Sequence, residues 1–265
     1  MPWRIGVRPF VRSLIGVLAA VIIATAGNVQ SAEIAVMISG GFSVAYKELV
    51  PEFEKTSGNR VVTAWGPSMG ATPEAIPNRL ARGEPVDVLI MVGGALDELI
   101  RTGKVVRESR RELANSGIGM AVRAGTPRPS IGSVEDLKQA LMNAKSIAYS
   151  DSASGVYLSG ELFPRLGLSG ALRDKARMIP GEPVGAVIAR GDAELGFQQI
   201  SELLPIPGIE LVGPLPPEVQ KITPFAAGIA AVARQPQVGR ELIDFLSSAA
   251  AAPAIRRAGM EPVKR

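Results

Sequence analysis

Residue types able to do chemistry gather at three corners of this chain. They are Ser39-Gly40-Gly41-Phe42-Ser43, Gly66-Pro67-Ser68-Met69-Gly70-Ala71-Thr72 and Ser150-Asp151-Ser152-Ala153-Ser154-Gly155. Each follows an apolar run and leads into a helical one. The unpaired amides of a first helical turn, the positive end of the helix dipole and small side chains that admit a close approach suit such corners to a small anion. Each corner also has a plain reading, with Ser43 as a helix cap, the glycines as turns and the hydroxyls as a solvated loop. Recurrence of the device favours binding. The candidate ligand contacts from the corners are Ser39, Gly40, Gly41, Ser43, Ser68, Met69, Ser154 and Gly155.

Catalysis has little to draw on. The chain holds no His and no Cys, which removes disulfides, thiol chemistry, the usual zinc sites and every His-based triad or base. A serine enzyme would need a lysine base, and no Ser-x-x-Lys motif occurs. An exported hydrolase built on one of the hydroxyl loops is therefore the weaker reading. The expectation is a binding protein with no catalysis, no cofactor and no metal.

The elements that position the corners repeat. An apolar run from Glu33 to Ile38 leads into the first corner and a helical run from Val44 to Ser57; a second run, Asn59 to Trp65, leads into the next; and Val86 to Val92 is apolar enough for a strand buried on both faces. Three strand-turn-helix units in succession imply a parallel α/β sheet with right-handed crossovers. Further on, Ile118 to Arg123 reads as a strand, Ser133 to Asp136 as a capping box and Ser146 to Tyr149 as a short strand before the third corner. Met178 to Val184 makes a fourth corner, and Ala193 to Gln199 is a short strand with a helix start at Ser201 and Glu202. Beyond Glu210 the prolines 214, 216 and 217 suggest a connecting segment. A long apolar strand, Phe225 to Val232, and an amphipathic helix, Val238 to Ser248, come after it.

Arg4, Arg8 and Arg12 precede an uncharged run from Ser13 to Ala26 that is too short for a comfortable membrane span. That is the pattern of a secretory signal peptide over residues 1–26, with Ala24-Thr25-Ala26 as cleavage site or cleavage as late as Ala32. Without those three arginines the formal net charge falls from +4 to +1. Nucleic acid is then no natural partner, and a periplasmic, monomeric protein is expected.

From Glu33 to Pro262 the chain resembles the ModA-type periplasmic molybdate-binding proteins, the solute receptors of ABC importers. The likeness is carried by the Ser39 to Ser43 corner, Glu52 to Gly58, Ala81 to Val88, Ala189 to Gly196, Glu241 to Ser248 and Arg256 to Pro262. The resemblance implies a two-lobed α/β fold of the type II periplasmic-binding-protein kind, each lobe a mostly parallel sheet flanked by helices. Lobe I would be 33–116 plus 227–265 and lobe II 117–226, joined by two crossover strands. A small anion of the molybdate or tungstate type would be clamped between the lobes by amides and hydroxyls and handed to an ABC permease. Carried over by position, the second-corner serine is Ser68, and the backbone donors of the third and fourth corners fall near Ser154 and Val184. The first-corner serine falls on Gly41, between Ser39 and Ser43, and the tyrosine donor on Gln199. A Gln in place of Tyr and a longer Gly66 to Arg79 loop suit a different anion, such as a small carboxylate.

Overall fold

The computed structural model describes residues 1–3 and 31–263. The expected signal peptide, residues 1–26, falls outside the described residues except for residues 1–3. Residues 31–263 form one compact unit.

Two sheets organise that unit. The first has the strand order β11-β4-β10-β3-β1-β2, formed by β1 Glu33–Ile38, β2 Arg60–Trp65, β3 Val88–Val92, β4 Arg111–Ser116, β10 Thr223–Ile229 and β11 Glu261–Pro262. The second runs β7-β6-β8-β5-β9, formed by β5 Ile118–Arg123, β6 Ile147–Ser150, β7 Ala176–Ile179, β8 Leu195–Gln199 and β9 Ile209–Pro214. Each has a parallel part, β2-β1-β3 in one and β7-β6-β8 in the other. Antiparallel partners complete both, with β10, β4 and β11 added to the first and β5 and β9 to the second. The chain crosses from one sheet to the other at Gly117, between β4 and β5, and again between β9 and β10.

Alternation along β3 explains why it is apolar throughout. Val88, Ile90 and Val92 face the cluster built with Phe42, Tyr46, Leu49 and Phe53 of helix Ser43–Ser57, while Leu89 and Met91 face Leu96 and Ile100 of helix Gly93–Arg101. Both faces are covered, so every position is buried. Each such side chain contributes roughly 1.5 to 3 kcal/mol by leaving water. The second sheet is treated alike: Ile118, Met120 and Ile147 pack with Leu137, Leu141 and Leu158 on one face, and Ala148 packs with Val184 and Ile188 on the other.

Local chemistry fixes the helix ends. Ser133 caps its helix by accepting from the Asp136 amide at 3.1 Å, as the capping box predicts. Helix Ser43–Ser57 stops at Gly58, whose φ of 73° is the left-handed conformation that ends helices. The buried Asp87 holds the turn into β3 and the far end of β10 together. Its carboxylate accepts from Ala35 N–H at 2.8 Å, Arg234 N–H at 2.6 Å and Gln235 N–H at 2.8 Å. Asp87, in the Ala81 to Val88 stretch that carries the family likeness, is thus a structural clasp.

Candidate functional site

The corners converge on one cleft. It holds about 570 Å³ and is lined from both sheets. The end of β1 supplies Ser39, Gly40, Gly41 and Ser43, the end of β2 supplies Trp65 to Ser68, the end of β6 supplies Ser150 to Ser152, and Gly181 to Pro183 lead into helix Val184–Arg190. Gln198 and Gln199 close β8, and Glu202 follows on the short helix Ile200–Leu203. These are the carboxyl ends of parallel strands, where open α/β sheets place their ligands.

Of the residues singled out from the sequence, Ser39, Gly40, Gly41, Ser43, Ser68 and Gln199 line this cleft. Four others stand behind it. Met69 packs against the first core cluster. The Ser154 hydroxyl is 2.9 Å from that of Ser150 and 1% exposed. Gly155 presses against the Ser150 carbonyl, leaving no room for a β-carbon. The Val184 amide donates to Gln198 Oε1 at 2.9 Å, so it is committed inside the protein. The lining positions beside them are Ser68, Ser152 and Pro183.

Hydrogen bonding separates lining groups that are committed from those that are not. Ser68 Oγ accepts from the Val92 amide at 2.9 Å and keeps its own proton to donate. Ser43 lies inside the helix and makes no capping bond, because Phe42 occupies the cap position. The Ser39 amide donates to Ile90 at 2.9 Å, but the Ser39 hydroxyl is buried with no partner. Gln199 Nε2 donates to Thr223 Oγ1 at 2.9 Å, and its Oε1 is buried and unpartnered. Leaving such atoms unpaired costs about 1 to 3 kcal/mol each. Two of them in one cleft point to a polar ligand. Arg79 and Arg82 do not reach in, since both are paired with Glu84 at 2.6 Å.

Charge in the cleft is mixed. Lys47 is its one cationic lining residue, held with Nζ 5.0 Å from the Trp65 ring centre, and Glu74, Asp151, Glu182 and Glu202 are its carboxylates. Asp151 accepts from the Gly181 amide at 3.1 Å, and Glu182 is bound to Arg190. Glu202 differs from the rest. Burial pushes its carboxyl up, a hydrogen bond from Gln198 pulls it part of the way back, the charge of Asp151 pushes it up again, and it ends at about 7. Gln198 Oε1 is already spent on Val184, so its amide NH₂ is the end that meets Glu202. Sequence reasoning passed Glu202 by as a helix start; its only signal was its place three residues beyond the end of a strand at a ligand-bearing edge.

Among the described residues no cluster of three metal-ligating side chains occurs, and no helix is long and apolar enough to cross a membrane.

Comparison with known proteins gives a family and a correction. The model of the family described as bacterial extracellular solute-binding protein matches residues 34–261. An aconitate isomerase of Pseudomonas sp is 51% identical over 228 residues, covering 86% of this chain and 87% of its own length. The molybdate-binding protein ModA of Azotobacter vinelandii is 28% identical over 182 residues, covering 66% of this chain and 67% of its own. The solved periplasmic molybdate-binding protein of the same organism superposes with a TM-score of 0.68 at 21% identity, over 88% of this chain and 99% of that one. The two-lobed fold is that of the ModA-like receptors. The expectation of a protein without catalysis is overturned, because the relative at 51% identity is named as an enzyme. The absence of His removes the usual base, but not a carboxyl raised by burial.

Proposed function

The chain belongs to the bacterial extracellular solute-binding protein family, and on that premise we propose that its cleft binds an aconitate-type unsaturated tricarboxylate and isomerises it. The observation that carries this reading is the 51% identity, over most of both chains, to an aconitate isomerase. The cleft supports it. Moving the double bond of an unsaturated acid requires a group that takes a proton from carbon, and a receptor for an ionised oxyanion needs none. Lys47 and the hydroxyls of Ser39, Ser43 and Ser68 are placed to hold the carboxylates of a substrate. An organic anion also fits the Gln at position 199.

We place the protein in the periplasm as a monomer, cut after Ala26 or as late as Ala32, with an ABC permease as the partner that the fold class implies. A native N-terminus at Gly27 or Glu33 in a periplasmic fraction checks the location.

The function itself is tested by incubating the purified chain with cis- or trans-aconitate and following the isomers by proton NMR. The expected result is approach to one mixture from both sides. No conversion of either isomer would refute the isomerase, and thermal stabilisation by molybdate or tungstate but not by aconitate would return the cleft to an oxyanion.

A further inference from the structure

We propose that Glu202 is the catalytic residue that carries the proton between the two carbons of the substrate's allylic system. The inference rests on the isomerase reading above. Its geometry is independent of that reading. Glu202 stands on the second-sheet side of the cleft, and its carboxyl reaches across to Gly40 on the first-sheet side, where a β-carbon would lie 2.2 Å from Oε1. Gln198 holds it through its amide NH₂. The unpartnered Ser39 hydroxyl immediately precedes Gly40, and the Gln199 amide shares the same cavity. A substrate carboxylate accepting from the Ser39 hydroxyl, and from Gln199 once its amide is turned to offer the NH₂, would lie against this carboxyl.

The other titratable groups of the cleft are committed elsewhere or open to water. Glu182 is bound to Arg190, Asp151 to the Gly181 amide, Lys47 rests over Trp65, and Glu74 is exposed. Glu202 alone combines a place at the junction of both sheets with a carboxyl poised at about 7, the range in which one group serves as base and then as acid.

The step balances without any further reactant. Ionised Glu202 removes a proton from the methylene carbon next to a substrate carboxylate. The C–H electron pair becomes the new double bond, and the pair of the old double bond moves onto the far carbon. Glu202, now protonated, returns a proton to that carbon. Charge that builds up on the substrate meets the hydroxyls of Ser39, Ser43 and Ser68, which are neutral donors lining the cleft.

The test compares wild type with Glu202→Gln in the full chain, reading NMR interconversion and the thermal shift produced by aconitate. The variant should lose conversion by roughly a hundredfold or more while aconitate still stabilises it. In wild type, kcat should fall on the acid side of about 7, as the base becomes protonated. Conversion by the variant within about threefold of wild type would overturn this inference and leave the isomerase intact. Absence of conversion in wild type would overturn both. If the variant fails to fold, the wild-type profile decides, because a kcat that stays level through that pH would remove Glu202 from the chemistry.

Discussion

Glu202 and Gly40 meet across the cleft so closely that the glycine has no room for a side chain: an ideal β-carbon on Gly40 would lie 2.2 Å from Glu202 Oε1 and 3.2 Å from its carboxyl carbon. Gly40 does not have a positive φ, so its backbone does not require glycine. The approach of the carboxyl does. Gly40→Ala should therefore push the end of a flexible side chain aside at a stability cost of about 1 kcal/mol or less, because nothing rigid is struck. Turnover of aconitate should drop at least about tenfold, since a displaced proton-transfer group loses its alignment. Unfolding midpoints and NMR turnover, measured on one preparation, check both halves.

A second prediction concerns pH. The folded-state pKa of Glu202 lies at about 7, above the value near 4.3 of an unfolded Glu. The neutral form is thus the one the fold favours. Its contribution to stability is fully present below about pH 4.3 and is lost as pH rises through about 7, a change of up to about 4 kcal/mol. Glu202→Gln should erase this dependence and be more stable than wild type at about pH 8. Urea midpoints of both proteins at about pH 5 and about pH 8 give the answer, and parallel changes in the two would show that Glu202 is well solvated.

Much of the architecture is legible in the sequence, and the misses share a physical cause. The all-apolar β3, the Ser133 cap and the glycine corners carry strong local signals, and they stand where periodicity and turn chemistry place them. β4 reads Arg111-Glu112-Leu113-Ala114-Asn115-Ser116, too polar to register as a strand, and it forms because β10 and β11 pair with it on either side. β9 lies in the segment that its following prolines made look like a connection. Pro253 looks in sequence like a helix break, yet it stands in the first turn of helix Ala252–Arg257, where its missing N–H costs nothing. The cleft was legible as a set of strand ends. Glu202 was not, because nothing local distinguishes a solvated Glu at a helix start from one that packing drives against a glycine of the other sheet.

The two crossings between sheets are tied by one side chain. Gln220 accepts from the Ile118 amide at 2.9 Å and donates to the Ile118 carbonyl at 2.9 Å, a two-bond clasp between the β4–β5 and β9–β10 connections. Both bonds satisfy part-buried backbone, so Gln220→Ala should cost about 1 to 3 kcal/mol of stability. Amide exchange at Ile118 should quicken well beyond the global change, because the crossing opens locally. Exchange at Ile118 that changes no more than that of the core strands would show the clasp to be incidental.

The last prediction turns on Gln199, the position at which the family likeness places a tyrosine donor. Its amide is 2% exposed, with Nε2 on Thr223 Oγ1 at 2.9 Å and Oε1 lacking a partner. The Thr223 hydroxyl can donate as well as accept, so the amide can be turned over, bonding Thr223 through Oε1 and offering its NH₂ to the cleft. An ionised carboxylate accepts only, so substrate binding should select the turned amide. Replacing Gln199 with Leu exchanges one unpaired atom for another, the Thr223 hydroxyl, and the net change in stability should stay within about 1 kcal/mol. Affinity for aconitate should fall about tenfold, the loss of one hydrogen bond to a charged acceptor in a cleft where no water replaces it. Calorimetric titration of both proteins with aconitate measures this directly. Equal affinity would mean that Gln199 serves Thr223 alone, and a rise in affinity for molybdate in Gln199→Tyr would show that the same position sets which anion the cleft prefers.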